Sequence, residues 1–474
     1  MTPDKLFIGG TWREPGARDP VVSPWDGRIA FQAPRASATD VDDAIAAAVK
    51  AAPVMAKLAA FERRDLLKKI ADGIAARRED LTRSIVAESG KPITATRAEV
   101  DRAIVTFTLG AEEATRVEGE ALDLAIEPRT RGWKGWISRV PVGPIAAITP
   151  FNFPLNLVAH KLAPAFAAGC PVVLKPAPQA PGAALILAEI VEAAGVPAGA
   201  LSVVPCGAET AERLVTDPRV KMLSFTGSAR VGWTLRAKAG RKKVALELGG
   251  NAGVAIAEDA DLAYAAARCA AGGFVQAGQV CIKVQRIYVH AAVAERFTAL
   301  FLDEVRKLRT GDPHEATTVI GPLIDEAAAI RVESWIAEAV ARGAKTLLGG
   351  PRQRALVPAT VLSGAPRDAK VSCEEIFGPV TTVDAVKDFD EALARVDEGE
   401  WGLQAGVFTK DIDRIQRAFA RLDVGTVVAN EVPTFRVDSQ PYGGVKGSGS
   451  GREGVRYAIA EMTEPRALLL HSPE

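Results

Sequence analysis

From Gly143 onward the chain repeats one unit: a short apolar run bounded by Gly or Pro, then an Ala-rich stretch long enough for a helix. The segments 145–149, 171–174, 201–204, 222–225 and 244–248 read as strands, with helical stretches such as 183–194 between them. Apolar runs without alternation suit strands covered on both faces, which is what helices on either side of a parallel sheet provide. The pattern therefore predicts a doubly wound α/β sheet, a fold that binds ligands beyond the carboxyl ends of its strands. A second α/β series occupies 253–428, with strands expected near 284–289, 379–383, 406–408 and 425–428, so two stacked α/β domains are expected. Ahead of the first sheet, 40–116 reads as helical, because Leu66, Leu67, Ile70 and Ile74 return at steps of three and four. Pro53 and Pro92 are expected to interrupt it. Between 117 and 140, Trp133, Trp136 and Ile137 near Gly132 and Gly135 suggest a hairpin with exposed aromatics, a plausible contact between subunits.

Composition removes several functions. Lys plus Arg and Asp plus Glu both number 58 in 474 residues, so no basic field exists to hold nucleic acid or an anionic membrane. Five Cys without a Cys-x-x-Cys spacing make no disulfide framework and fit a reducing compartment. Four scattered His leave no metal-ligand cluster. Asp4 and Lys5 interrupt the start of the chain before any signal-like apolar run, and no later run is long enough to cross a bilayer. A cytoplasmic enzyme or binding protein is expected.

One motif is a decoy. Gly449-Ser450-Gly451-Arg452-Glu453-Gly454 spells the dinucleotide fingerprint, but too little chain follows to supply the helix, strand and acidic residue it needs. A Gly-rich loop is the better reading. The chemistry lies at the predicted strand ends. In Thr149-Pro150-Phe151-Asn152-Phe153-Pro154, Asn152 can offer its NH₂ to an oxyanion, although Asn between prolines is also an ordinary turn residue. Lys175-Pro176 follows the second strand and Phe225-Thr226-Gly227-Ser228 follows the fourth; a Lys there can reach ribose hydroxyls and a Gly-Ser can present backbone NH groups to phosphate, though each is also common on plain surfaces and helix caps. Glu247, within Leu246-Glu247-Leu248-Gly249-Gly250-Asn251, ends an apolar strand where desolvation would raise it toward a general base, unless it faces water. Cys281, in Gly278-Gln279-Val280-Cys281, follows small flexible residues, whereas Cys170, Cys206, Cys269 and Cys373 have no evident activating partner. Glu374-Glu375-Ile376-Phe377-Gly378-Pro379 offers a carboxylate for ribose and a ring for an aromatic cofactor, or simply a charged turn.

These motifs in this order resemble the aldehyde dehydrogenase superfamily, with recognised blocks from about Thr149 to Gly454 and fitting flanks, hence nearly the whole chain. The resemblance implies a Rossmann-like cofactor domain lacking the usual Gly fingerprint (1–116 and 141–246), a catalytic domain (247–448) and a small oligomerisation element (117–140 and 460–474). It implies that Cys281 is the nucleophile, Asn152 the oxyanion donor and Glu247 the base. NAD or NADP would be held by Lys175, Ser228, Glu375 and Phe377, with Ile148, Thr149, Pro150, Phe151, Pro176, Pro178, Gly207, Phe225, Gly227, Val231 and Leu248 at the same cofactor site. A homodimer or homotetramer is expected, as is an aldehyde as the small-molecule substrate.

Departures from the family pattern bear on detail. Phe151 stands where many similar members have Trp. Pro178 stands three residues after Lys175, where strictly NAD-dependent members often carry a Glu that repels a 2′-phosphate, so both nucleotides stay open. The stretch Val432-Pro433-Thr434-Phe435-Arg436-Val437-Asp438 is similar to the lactaldehyde dehydrogenase-like branch, which includes phosphonoacetaldehyde-oxidising enzymes. This points to a small polar aldehyde, with Arg436 and His160 as candidate contacts to its tail. Two other readings compete. A CoA-acylating enzyme would replace hydrolysis by thiol transfer and, by the same resemblance, would not need Glu247; a silent binding protein of the same fold would not need the intact Cys281, Asn152 and Glu247.

Overall fold

The computed structural model describes residues 2–117 and 119–472. Its largest sheet carries five parallel strands in the spatial order Leu201–Val203, Val172–Lys175, Ile145–Ile148, Met222–Thr226 and Lys243–Glu247. In chain order these are third, second, first, fourth and fifth, the doubly wound arrangement. Along Ile145–Ile148 the side chains divide between two cores: Ile145 and Ala147 pack with helices on one face, Ala146 and Ile148 on the other. The apolar run is thus explained by burial on both sides. Antiparallel strands close the edges, Leu6–Ile8 and Thr11–Arg13 on one side and Gly449–Ser450 on the other.

The second sheet has seven strands, in the order Lys345–Leu348, Thr360–Ser363, Val380–Val386, Arg286–His290, Gly253–Ile256, Gln404–Phe408 and Thr426–Ala429, all parallel except the first pair. The expected strands appear in it shifted by one to a few residues. A third, three-stranded sheet joins Glu120–Asp123 and Trp133–Pro141 to the C-terminal strand Thr463–His471. The expected hairpin therefore exists and the tail completes it; residues 118, 473 and 474 of those segments lie outside the described residues.

The helical stretch is four helices, Ala38–Lys57, Ala60–Ala76, Arg78–Ser89 and Ile93–Glu113. Pro92 caps the last of them as expected. Pro53 does not interrupt the first, which runs through it and breaks at Leu58 instead. The correction has a simple cause: Pro53 faces solvent, where the carbonyl that loses its donor can turn to water. No single helix among the described residues is long and apolar enough to cross a membrane.

Candidate active site

The strand order reverses between Ile145–Ile148 and Met222–Thr226, and the loop leaving the first of these carries Asn152. Three anchors fix that loop. Lys91 Nζ donates to the Asn152 carbonyl at 3.2 Å and to Glu99 at 2.5 Å. The other Glu99 oxygen accepts the backbone NH groups of Leu155 (2.9 Å) and Asn156 (3.1 Å), where the helix Asn156–Ala168 begins. Gln276, from the segment leading to Cys281, donates to the same Asn152 carbonyl. The Asn152 amide itself gives one hydrogen to the Gln279 carbonyl at 3.0 Å, which leaves its second N–H for a ligand.

Cys281 is delivered by a strained approach. After the helix Leu262–Phe274, Gln276, Ala277 and Gly278 take left-handed φ values of 54°, 55° and 68°. Two of them are not glycine, a conformation that persists only when surroundings over-determine it. At Gly278 a Cβ would collide with the Gly378 backbone, so no other residue fits the turn. The Cys281 sulfur then lies 3.1 Å from the Tyr442 hydroxyl. Burial pushes the thiol up to about 11, while the Tyr442 hydrogen bond pulls the other way.

Glu247 ends its strand beside the Gly-rich loop, which is itself the edge strand: Gly449 pairs with Glu247 and Ser450 with Leu246. The decoy fingerprint is thus a structural strand and turn, and it brings Glu453 beside Glu247. Burial first, then the charge of Glu453, raises the Glu247 pKa well above the ordinary carboxylate range. One Glu247 oxygen is buried without a partner. Glu453 is held ionised by Arg436 at 3.0 Å and Lys161 at 3.4 Å.

Asn152, Glu247, Cys281, Tyr442 and Glu453 line one cavity of about 690 Å³, which also takes in Pro150, Phe151, Gly227, Ser228, Leu248, Glu375 and Phe377. The remaining residues expected at a cofactor gather along the same sheet edge. Gly207 follows Leu201–Val203, Lys175 ends its strand with Pro176 and exposed Pro178 just beyond, and Ile148 and Thr149 end the first strand. Phe225 is buried in the sheet core and Val231 lies in the first turn of the helix Ala229–Lys238. The edge fits a dinucleotide on independent grounds. The Thr149 and Thr226 hydroxyls are buried without partners. Glu375 accepts the Gly250 NH at 3.1 Å, and burial raises it to about 7. Gly249 lies so close that its Cβ would sit 2.7 Å from the Glu375 carboxyl carbon. Phe377, at φ 44°, meets the Phe151 ring edge-on at 6.0 Å.

At the far end Arg436 lies in the wall, its guanidinium 3.6 Å above the Tyr442 ring and its Nε buried without a partner. His160 does not line the cavity. It sits behind Arg436, with Nε2 2.9 Å from Asp438 and 3.3 Å from the guanidinium, so any reach to a substrate runs through Arg436. Asp438 also binds Arg102 at 2.6 Å, and Arg102 borders the cavity. Tyr442, Glu453, Arg102 and the Lys91–Glu99 pair escaped the sequence reading. Glu453 alone had a signal, since it stands inside the Gly-rich run.

A buried thiol, an amide with an N–H free to donate to a carbonyl oxygen and a raised carboxylate thus share one cavity at the carboxyl edge of a doubly wound sheet, a set suited to an enzyme that binds a carbonyl compound. The chain belongs to the aldehyde dehydrogenase family, whose profile matches residues 12–468. Its activity is the oxidation of aldehydes with NAD or NADP. It is 42% identical over 467 residues to 3-sulfolactaldehyde dehydrogenase of Priestia aryabhattai, covering 98% of each chain. It is 36% identical over 472 residues to lactaldehyde dehydrogenase of Methanococcus maripaludis, covering 98% of this chain and 100% of the relative. Among solved structures, aldehyde dehydrogenase 21 from Physcomitrella patens, in complex with the reaction product succinate, superposes with a TM-score of 0.97 at 44% identity over 99% of both chains. Glyceraldehyde-3-phosphate dehydrogenase from Methanocaldococcus jannaschii, complexed with NADP, gives 0.92 at 37% identity over 96% of this chain and 100% of that one.

Proposed function

We propose that this chain oxidises small aldehydes bearing an anionic tail to the corresponding acids, through a thioester on Cys281. The observation that carries the reading is Arg436: a guanidinium set in the wall of the same cavity as the thiol, with an unsatisfied Nε and with Arg102 nearby. Relatives whose names or ligands specify an acidic molecule, among them the sulfolactaldehyde enzyme, the succinate complex and the glyceraldehyde-3-phosphate dehydrogenase, support it.

The roles follow from placement. The Cys281 thiolate adds to the aldehyde carbonyl, and the resulting O⁻ is met by the free N–H of Asn152 and the Cys281 backbone NH. NAD or NADP, held along the edge from Lys175 to Glu375, supplies the hydride acceptor when bound. Glu247, once ionised, takes a proton from the water that cleaves the thioester. Glu453 and Lys161 keep a fixed pair of charges behind it, and Lys91 with Glu99 keeps the Asn152 loop in register with the Cys281 loop.

The first sheet then serves the cofactor and the second supplies the nucleophile. The three-stranded sheet, with Trp136, Leu468, Leu469 and Leu470 exposed, would be the contact of a homodimer or homotetramer. A cytoplasmic setting suits five free cysteines. The test is a panel of aldehydes against wild type and Arg436→Met: KM for succinic semialdehyde and 3-sulfolactaldehyde should rise at least tenfold more than KM for propanal. An equal change across the panel would remove the anionic tail from the proposal.

A further inference from the structure

The nucleophile has a neighbour that takes no part in the steps from thiolate to acid. The Tyr442 hydroxyl lies 3.1 Å from the Cys281 sulfur, and it belongs to an apolar cluster with Val280, Ile282, Leu403 and Phe153 that fixes its ring. Its backbone is pinned from both sides by a bridge to Glu453, at 3.0 and 2.6 Å. The Arg436 guanidinium rests on the ring face at 3.6 Å. We propose that Tyr442 is a catalytic residue: its hydroxyl donates to the Cys281 sulfur and favours the thiolate, and Arg436, seated on its ring, strengthens that donor. The proposal rests on Cys281 being the nucleophile.

The direction of the hydrogen bond decides the chemistry. A thiolate can only accept, so once the sulfur loses its proton to solvent the hydroxyl must be the donor. Hydrogen bonds to an ionised partner are the strong ones, and more so away from water. A cation over a phenol ring draws on its π electrons and makes the O–H more acidic. Burial keeps the phenol well above its usual range, so it remains protonated, and able to donate, wherever the enzyme works. Four groups face the thiol. Tyr442 and Arg436 favour its ionised form, whereas Glu375 and Glu247 oppose it. Without Tyr442 the thiol, already raised by burial, would be driven higher still.

The experiment measures the thiol directly. Full-length protein is alkylated with iodoacetamide from pH 6 to 10.5; the thiolate attacks the CH₂ carbon, iodide leaves, and the adduct on Cys281 is counted by peptide mass. Tyr442→Phe removes one oxygen and keeps the packing. It should move the alkylation midpoint up by about 1 to 2 pH units, so that the rate at neutral pH falls roughly 10- to 100-fold, the worth of a hydrogen bond to a charged group. Because burial already holds the wild-type thiol near 11, the rate should still be rising at pH 10.5 in both proteins, and the midpoints are compared through the ratio of their rates. Replacing Tyr442 by 3-fluorotyrosine, a stronger acid, should move the midpoint down, a reversal that a merely structural ring would not produce. A midpoint unmoved in both proteins overturns the proposal, as does one that falls in Tyr442→Phe, which would mean that the tyrosine holds an idle thiol. Cys281→Ala separates the two readings. If that variant still oxidises aldehydes, the nucleophile assignment fails; if it is inactive while the Tyr442→Phe midpoint stays at the wild-type value, only the role of Tyr442 is lost.

Discussion

Burial and the charge of Glu453 raise the Glu247 carboxyl well above its ordinary range, and burial raises the Cys281 thiol to about 11. Each must lose a proton to act, so turnover should rise with pH, the acid limb governed by Glu247 well above ordinary carboxylate values. Glu247→Gln should separate the half-reactions. Hydride transfer needs no water, so a rapid-mixing experiment should show a burst of reduced nucleotide near one per site. Steady turnover should fall about 10²- to 10⁴-fold, the usual loss with a general base, and intact mass should show an acyl group on Cys281. Normal turnover by the variant would end the assignment. The places of Asn152 and Glu247 at strand ends could be read from the apolar runs beside them, whereas their proposed roles, and that of Cys281, came from the family resemblance. Tyr442 was read from neither. It reaches the sulfur across 161 residues, and Arg102 reaches Asp438 across 336, and neither local pattern nor composition encodes such closures.

At the scale of elements, helix starts are joined to distant carboxylates. Glu88, buried in the helix Arg78–Ser89, accepts the Gly182 NH at 2.9 Å and so caps the helix Gly182–Ala193, with Ser84 donating to its other oxygen. Burial raises it to about 7 from an ordinary 4.5. A raised carboxyl contributes stability that is complete below about pH 4.5 and is lost as pH rises through 7; the span corresponds to about 3 kcal/mol. Glu88→Gln can keep both hydrogen bonds without titrating. Its Tm should therefore exceed wild type at pH 8 and match or fall below it at pH 5, and a constant offset between the two pH values would refute the cap's titration. The elements themselves were read well where they were long or buried on both faces, as in the first sheet. Leu6–Ile8 and Thr11–Arg13 were missed because three residues are too few to display a period, and Pro53 misled because its cost depends on which way the helix faces.

For the molecule as a whole, the unpaired edge Thr463–His471 matters most. Its nine residues pair with Trp133–Pro141 on one side only, and Leu468 and Leu470 stay 63% and 50% exposed on the face they share with Trp136. An apolar edge strand of that length invites a second copy. The double substitution Leu468→Glu and Leu470→Glu should shift the protein to a smaller species in light scattering while each chain remains folded. An unchanged mass would place the contact elsewhere.

The Gly-rich run has a consequence for how this protein is made. Gly449 and Ser450 close the first sheet, Glu453 lines the cavity, and Tyr442 meets the sulfur, so residues 442–453 complete a site whose other parts were synthesised hundreds of residues earlier. Contacts between such distant segments form late, because the intervening loop must close before they can reward it. On the ribosome the Cys281 thiol is therefore made 161 residues ahead of the tyrosine that meets it. Until the two meet, Cys281 lacks the burial that raises it and ionises as an ordinary cysteine does.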